Sequence, residues 1–185
     1  AIFRPEEYER ETAFHRTLTE FQYAFSNGRI TYYLQPQVDM ETGEIVGAEA
    51  LTRWIGKDGS LISPVTFIPA LEESGFVVTL DKYIWQGVAS WLRERIDRGL
   101  RVVPISLNVS RVDILACDVA EHMGALAAQY NLPPELMRIE ITETAYTGES
   151  EAVDKLTADL HTRGFSTYMD DFGTGQSTLA MLKNV

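Results

Sequence analysis

Six side chains in this 185-residue chain combine an oxygen donor with an apolar setting. Glu49 stands between Ala48 and Ala50, and Asn108 falls near the end of the apolar run Val102 to Val109. Glu140 lies inside Met137 to Thr142, with Glu143 just beyond, and Phe165 to Met169 runs straight into Asp170 and Asp171. A carboxylate held unpaired among apolar residues is costly, so such groups imply a compensating charge. Oxygen donors without clustered cysteine or histidine suit hard ions such as Mg, Mn or Ca, not zinc. Two such ions can activate water and clamp the oxygens of a phosphodiester. At any single position a plainer reading stands. Asp and Asn at strand ends commonly cap a helix or shape a turn, and Glu140 or Glu143 can pair with Arg138 or Arg53 in structural salt bridges. Convergence of the whole set on one face of a sheet favours the metal.

That convergence depends on the elements between them. Phe14, Leu18, Phe21 and Phe25 recur at helical spacing and predict an amphipathic helix over Pro5 to Asn27, stopped at Asn27-Gly28. Ile30 to Met40 and Ile45 to Trp54 are β-branched and aromatic, and the turn Glu41-Thr42-Gly43-Glu44 joins them into an antiparallel hairpin. A loop at Gly56 to Gly59 leads to Ser63 and a proline-started helix, Pro64 to Ser74, closed by Gly75. Leu80, Ile84, Val88 and Leu92 mark a longer helix to Arg98, followed by a strand over Val102 to Val109. Val119, Met123, Leu126 and Tyr130 mark the next helix, then come a strand at Met137 to Thr142, a helix at Glu149 to Arg163 and a strand at Phe165 to Met169. Ser177 opens a last helix. Strands alternating with helices mean β/α units and a mostly parallel sheet, as a closed barrel or an open sheet. In such folds ligands gather at the carboxyl ends of the strands. No linker divides the chain, so one domain is expected, and the unfinished last unit would expose a sheet edge, the mark of an incomplete domain.

Composition narrows the function. Lys and Arg number 16 against 27 Asp and Glu, a net charge of -11. That balance argues against wrapping duplex nucleic acid, while a small anion remains compatible because bound cations invert the local field. Apolar residues at 45% and charged residues at 23% describe a globular chain and not a disordered one. No apolar run approaches the length of a membrane helix, and the N-terminus is too polar for a signal peptide, so a soluble cytoplasmic domain without membrane contact is expected. The lone Cys117 rules out an internal disulfide framework or a multi-cysteine zinc site; at the start of a helix its thiolate would be favoured, without a paired base. His15, His122 and His161 lie far apart on helices and are read as non-catalytic. Asp171-Phe172-Gly173 lacks the glycine-rich and catalytic loops of a kinase, and the sequon Asn108-Val109-Ser110 is read as chance.

In order, Glu49-Ala50-Leu51 with Arg53-Trp54, Asn108-Val109-Ser110, Glu140-Ile141-Thr142-Glu143 and Asp170-Asp171-Phe172-Gly173-Thr174-Gly175 resemble the motifs of the EAL family. Gln35-Pro36, Phe67-Ile68-Pro69 and Glu72-Glu73-Ser74-Gly75 resemble it too, so the likeness runs from about Ile30 onward. The resemblance implies an α/β fold, a modified TIM-type (β/α) barrel with an antiparallel first strand, present here only in part. It implies hydrolysis of cyclic di-GMP to linear pGpG. Two divalent cations, Mg or Mn, would be held by Glu49, Asn108, Glu140, Asp170 and Asp171, with Glu49, Asp170 and Asp171 catalytic through them. Gln35 and Arg53 would bind the substrate's phosphate or guanine. Glu143 would anchor the glycine loop after Asp171, which the family links to metal binding and dimerisation, so a homodimer is a further expectation. Residues 1–27 would connect to an upstream sensory or cyclase domain, and 28–185 would be the EAL-type domain, cytoplasmic even within a membrane-anchored protein. Gln176 departs from the aromatic residue usual after Gly-Thr-Gly. A barrel of this type takes about 250 residues, so roughly 65 are wanting. The family's catalytic lysine and its later glutamate and glutamine belong there, Lys183 lying too early. The chain alone is therefore expected not to turn over substrate. The competing readings are a catalytically silent cyclic di-GMP receptor and a dimerisation module; the intact early ligands favour the enzyme.

Overall fold

The first strand sets the hand of the site, because it runs against all the strands that carry carboxylates. In the computed structural model, which describes residues 5–142, 145 and 150–170, helix α1 (Pro5–Ser26) leads into β1 (Ile30–Val38) and β2 (Ile45–Ile55), an antiparallel hairpin. Then follow β3 (Leu61–Ile62), α2 (Pro64–Ser74), α3 (Val77–Asp97), β4 (Ile105–Val109), α4 (Arg111–Ala116) and α5 (Val119–Gln129). A 3-10 turn at Pro134–Leu136, β5 (Met137–Thr142), α6 (Ser150–Thr162) and β6 (Thr167–Asp170) complete the described chain. The sheet order is β1-β2-β4-β5-β6, with β2, β4, β5 and β6 mutually parallel and β3 folded back onto β2. Among the described residues no helix is long and apolar enough to cross a membrane.

The two faces of this sheet differ in chemistry. Register aligns Ala48 with Ile105, Ile105 with Met137, and Ile139 with Thr167. Side chains alternate along a strand, so Ala48, Ala50 and Trp54, then Ile105, Leu107 and Val109, then Met137, Ile139 and Ile141 share one face. All of these are buried against the helices. α3 supplies much of the opposing layer through Leu80, Ile84, Trp85, Val88 and Leu92, one apolar stripe at helical spacing. Parallel sheets usually bury apolar side chains on both faces. Here the second face carries Gln35, Gln37, Glu49, Arg53, Ser106, Asn108, Arg138, Glu140 and Tyr168, which the same register places together.

An aromatic cluster ties α1 to the hairpin and to α2. Phe21 is fully buried, with Trp54 edge-on at 5.4 Å and Phe67 stacked at 5.7 Å. Such pairs add about 0.5–1.5 kcal/mol each beyond the area they bury. The second half of α1 therefore shares the core of the sheet. α2 begins on Pro64, whose missing N–H costs nothing at a helix start, and ends where Gly75 takes a φ of 73°.

Several elements differ from the sequence reading. β1 stops at Val38, where the register shifts as the chain enters the turn. β4 begins at Ile105 and not Val102, since Pro104 has no N–H to give a ladder and offers only its carbonyl, to Ala48. β3 pairs where only a loop was expected, and α4 appears after Ser110, started by a capping box in which Ser110 and Asp113 exchange bonds. Cys117 does not begin a helix; it closes α4, and Asp118 caps α5. Burial pushes its thiol up, so no thiolate is favoured there.

Candidate active site

The polar face gathers where the middle of β2, which carries Glu49, meets the carboxyl halves of β4 and β5. Asn108 lies directly across from Glu140 on the neighbouring strand, and its Nδ2 reaches back to donate to Glu49 Oε1 at 2.9 Å. That bond leaves the carboxamide oxygen of Asn108 and the second oxygen of Glu49 as acceptors. Gln35 sits opposite Glu49 in the hairpin, a pairing that only an antiparallel β1 permits at this register. Thr142 aligns with Asp170 of β6, so the backbone of Asp170 stands at the same edge. Glu143 and Asp171, like the glycine loop, Gln176, Ser177 and Lys183, fall outside the described residues. Among the described residues no group of three or more His, Cys, Asp and Glu side chains could share a metal ion.

Arg53 lies on the same face, beyond Glu49 toward the strand end. Its guanidinium covers the Tyr33 ring at 5.6 Å and Nη1 donates to the Thr52 carbonyl at 2.9 Å. A cavity of about 380 Å³ opens beside it, lined by Glu49, Arg53, Glu72, Asp81, Trp85 and Asn108 among others. The wall toward α3 is fastened by Trp85, whose Nε1 donates to the Asn108 carbonyl at 3.1 Å. Burial, and then the charge of Asp113, pushes the Glu72 carboxyl up. Ser106, beside Glu49 in the register, is buried with its hydroxyl lacking a partner among the described residues. An orphaned hydroxyl next to carboxylate and carboxamide oxygens makes an oxygen-only donor set, the kind that fits a hard divalent cation.

A second layer escaped the sequence reading, which had placed Arg138 only as a salt-bridge partner of Glu140 or Glu143. Gln37 Nε2 donates to Glu140 Oε1 and Arg138 Nη1 donates to Gln37 Oε1, both at 3.4 Å. Arg138 also covers the Tyr168 ring at 5.5 Å. Arg138 thus reaches Gln37 and Tyr168 on the site face. Gly47 makes room for this network: a Cβ there would stand 2.7 Å from Gln37 Oε1 and 2.8 Å from Arg138 Nη1. The signal was available as period-two spacing, since Gln37 follows Gln35 by two residues and Arg138 precedes Glu140 by two. The histidines stay apart: His161 meets Thr167 at 2.9 Å, and His122 packs on Trp85 at 5.7 Å between ring centres.

Comparison with known proteins agrees with this frame. A family model described as EAL domain matches residues 18–185. The cyclic di-GMP phosphodiesterase RocR of Pseudomonas aeruginosa is 32% identical over 84% of this chain and 40% of its own length. The probable cyclic di-GMP phosphodiesterase PdeB of Escherichia coli K12 is 30% identical over 89% of this chain and 31% of its own. Among solved structures, the MucR phosphodiesterase in complex with c-di-GMP superposes with a TM-score of 0.85 at 26% identity, covering 92% of this chain and 69% of that one. The chain spans less than half the length of the curated relatives it matches.

Proposed function

The chain belongs to the EAL domain family, and from that membership we propose that the full-length domain hydrolyses cyclic di-GMP to linear pGpG. The observation that carries the reading is the shared face of Glu49, Asn108 and Glu140, with Arg53 on the same face toward the strand ends. Glu49, Asn108 and Glu140, with Asp170 and Asp171, would hold two divalent cations, Mg or Mn. Such ions supply charge stabilisation at the phosphoryl oxygens and acidify water for attack. Arg53 presents planar N–H donors suited to a phosphate, and its stacking on Tyr33 fixes the direction of that fork. Gln35 offers a carboxamide from the opposing strand to a phosphate or a guanine edge. Asn108 orients Glu49 through its 2.9 Å bond, and Gln37 steadies Glu140. Glu143 is assigned as the anchor of the glycine loop that follows Asp171.

The same reading puts the protein in the cytoplasm, with residues 1–27 as the link to an upstream sensory or cyclase domain and a second copy as partner. The test is product analysis of the full-length domain with cyclic di-GMP and Mg or Mn. Linear pGpG should form, and Glu49→Ala should cut the rate by more than the 10–100-fold typical of losing a group that only supports a metal ligand. Tight binding without product, unchanged by added metal, would refute hydrolysis and point to a receptor.

A further inference from the structure

A second cavity, of about 410 Å³, opens where α1 meets the hairpin. Glu20 and Tyr23 line it from α1, Arg29 from the turn before β1, Trp54 from the end of β2, Lys57 from the loop that follows and Ile62 from β3. Backbone bonds hold this joint together. The Arg29 N–H donates to the Ala24 carbonyl at 2.9 Å, and the Ile55 N–H donates to the Arg29 carbonyl at 2.8 Å. Trp54 stands on the core face of β2, and the cavity shares no residue with the one beside Arg53. The unmatched charges on its wall are positive. Arg29 and Lys57 both stand against the Tyr23 ring, 5.2 and 5.4 Å from its centre. Neither forms an ion pair among the described residues. The neighbouring acids are already engaged: Glu20 pairs with Arg16 at 2.9 Å, and Asp58 accepts from the Ser60 N–H and hydroxyl. Trp54 is 4% exposed, and its Nε1 is buried without an acceptor among the described residues. A donor left in that state is costly and calls for a partner.

We propose that this cavity binds an organic phosphate monoester with a planar apolar body. In a chain of net charge -11, two cations without counter-ions beside one cavity are a local reversal of sign that suits an anion. The phosphate bridges Arg29, which meets it with a planar fork, and Lys57, which meets it as a point charge. The apolar body lies against Tyr23, Trp54 and Ile62, the mix of apolar wall and few polar groups common to small-molecule sites. The Tyr23 ring already holds both cations, so little ordering is left for the ligand to impose. Two negative charges answer two cations, whereas a carboxylate answers only one. Because Tyr23 belongs to α1 and Lys57 to the loop after β2, an occupied site ties the helix to the sheet. The site stands apart from the cyclic di-GMP reading and does not depend on it.

The experiment titrates the full-length domain with phenyl phosphate, inorganic phosphate and benzoate, above the second phosphate ionisation near pH 6. Calorimetry reads the affinity, and nuclear magnetic resonance follows the indole N–H of Trp54. Phenyl phosphate should bind and shift that signal. Inorganic phosphate lacks the ring and benzoate lacks the second charge, so each should bind about tenfold more weakly. Arg29→Gln and Lys57→Gln should each weaken phenyl phosphate about tenfold, the loss of one charge-assisted contact. Arg53→Lys, on the other face of β2, should leave phenyl phosphate binding unchanged. Absence of binding overturns the proposal, and so does binding that leaves the Trp54 signal in place or that survives both glutamine substitutions. Loss of binding in Arg53→Lys puts the ligand in the candidate active site and overturns it as well. Benzoate binding as tightly as phenyl phosphate overturns the assignment of a phosphate. If Arg29→Gln does not fold, Lys57→Gln, on an exposed loop, decides alone.

Discussion

Replacing Gly47 with alanine inserts one methyl group into the network behind Glu140. The added carbon would meet Gln37 Oε1 at 2.7 Å, Arg138 Nη1 at 2.8 Å and the Pro104 carbonyl at 3.3 Å. The first two are ends of flexible side chains and can swing away; the third is backbone and must yield by a few tenths of an ångström. Forcing a methyl into a packed site costs about 1–3 kcal/mol. Displacing Gln37 breaks its two long hydrogen bonds and costs about 1 kcal/mol more. Against this, alanine restricts the unfolded chain and returns about 0.4–1 kcal/mol, because Gly47 is not in a left-handed conformation. The balance is a loss of about 2 kcal/mol, which for a chain of this size lowers the unfolding midpoint by about 4–8 °C. Thermal unfolding of Gly47→Ala, Gln37→Ala and the double variant forms the assay. If the clash with Gln37 dominates, truncating Gln37 absorbs most of the Gly47→Ala penalty and the pair is strongly non-additive. A neutral Gly47→Ala, or strictly additive losses, would show that the two side chains do not crowd this glycine.

Phe21→Ala removes a fully buried ring from between Trp54 and Phe67, and should cost about 3–5 kcal/mol in denaturant unfolding. A loss below about 1 kcal/mol would show α1 to be an appendage and not part of the core. Arg53→Lys keeps the charge but loses the planar fork. Calorimetry should show cyclic di-GMP binding about tenfold weaker, and unchanged affinity would remove Arg53 from phosphate recognition.

The alternation of strands with amphipathic helices was sufficient to anticipate the hairpin, the parallel strands and their order along the chain. Helices longer than two turns announce themselves by periodicity, whereas α4 has six residues and shows none. Its one local mark was Ser110 followed three positions later by Asp113, a capping box with Asp in place of the usual Glu. The two residues of β3 pair only because the loop at Gly56 turns them back, which no propensity records. In the site, Glu49, Asn108 and Glu140 were conspicuous as polar interruptions of apolar runs. Gln37 and Trp85 were not, and Arg138 stood out only as a salt-bridge partner, because their roles arise from contacts across more than 20 positions of sequence.

Because the sheet is apolar on one side and polar on the other, the strands divide their labour by parity. In β2 the even positions 48, 50 and 54 build the core and the odd positions 47, 49 and 53 lie on the polar face; in β4 and β5 the parity is reversed. Change can therefore accumulate on one set without disturbing the other, and the polar face is free to vary while the fold stays intact. Insertions and deletions have no such freedom. A single residue lost within β4 would exchange the two sets at a stroke, turning Asn108 toward the helices and leucine or valine toward the polar face. The strands of this domain should thus vary by substitution, with changes in length confined to the loops.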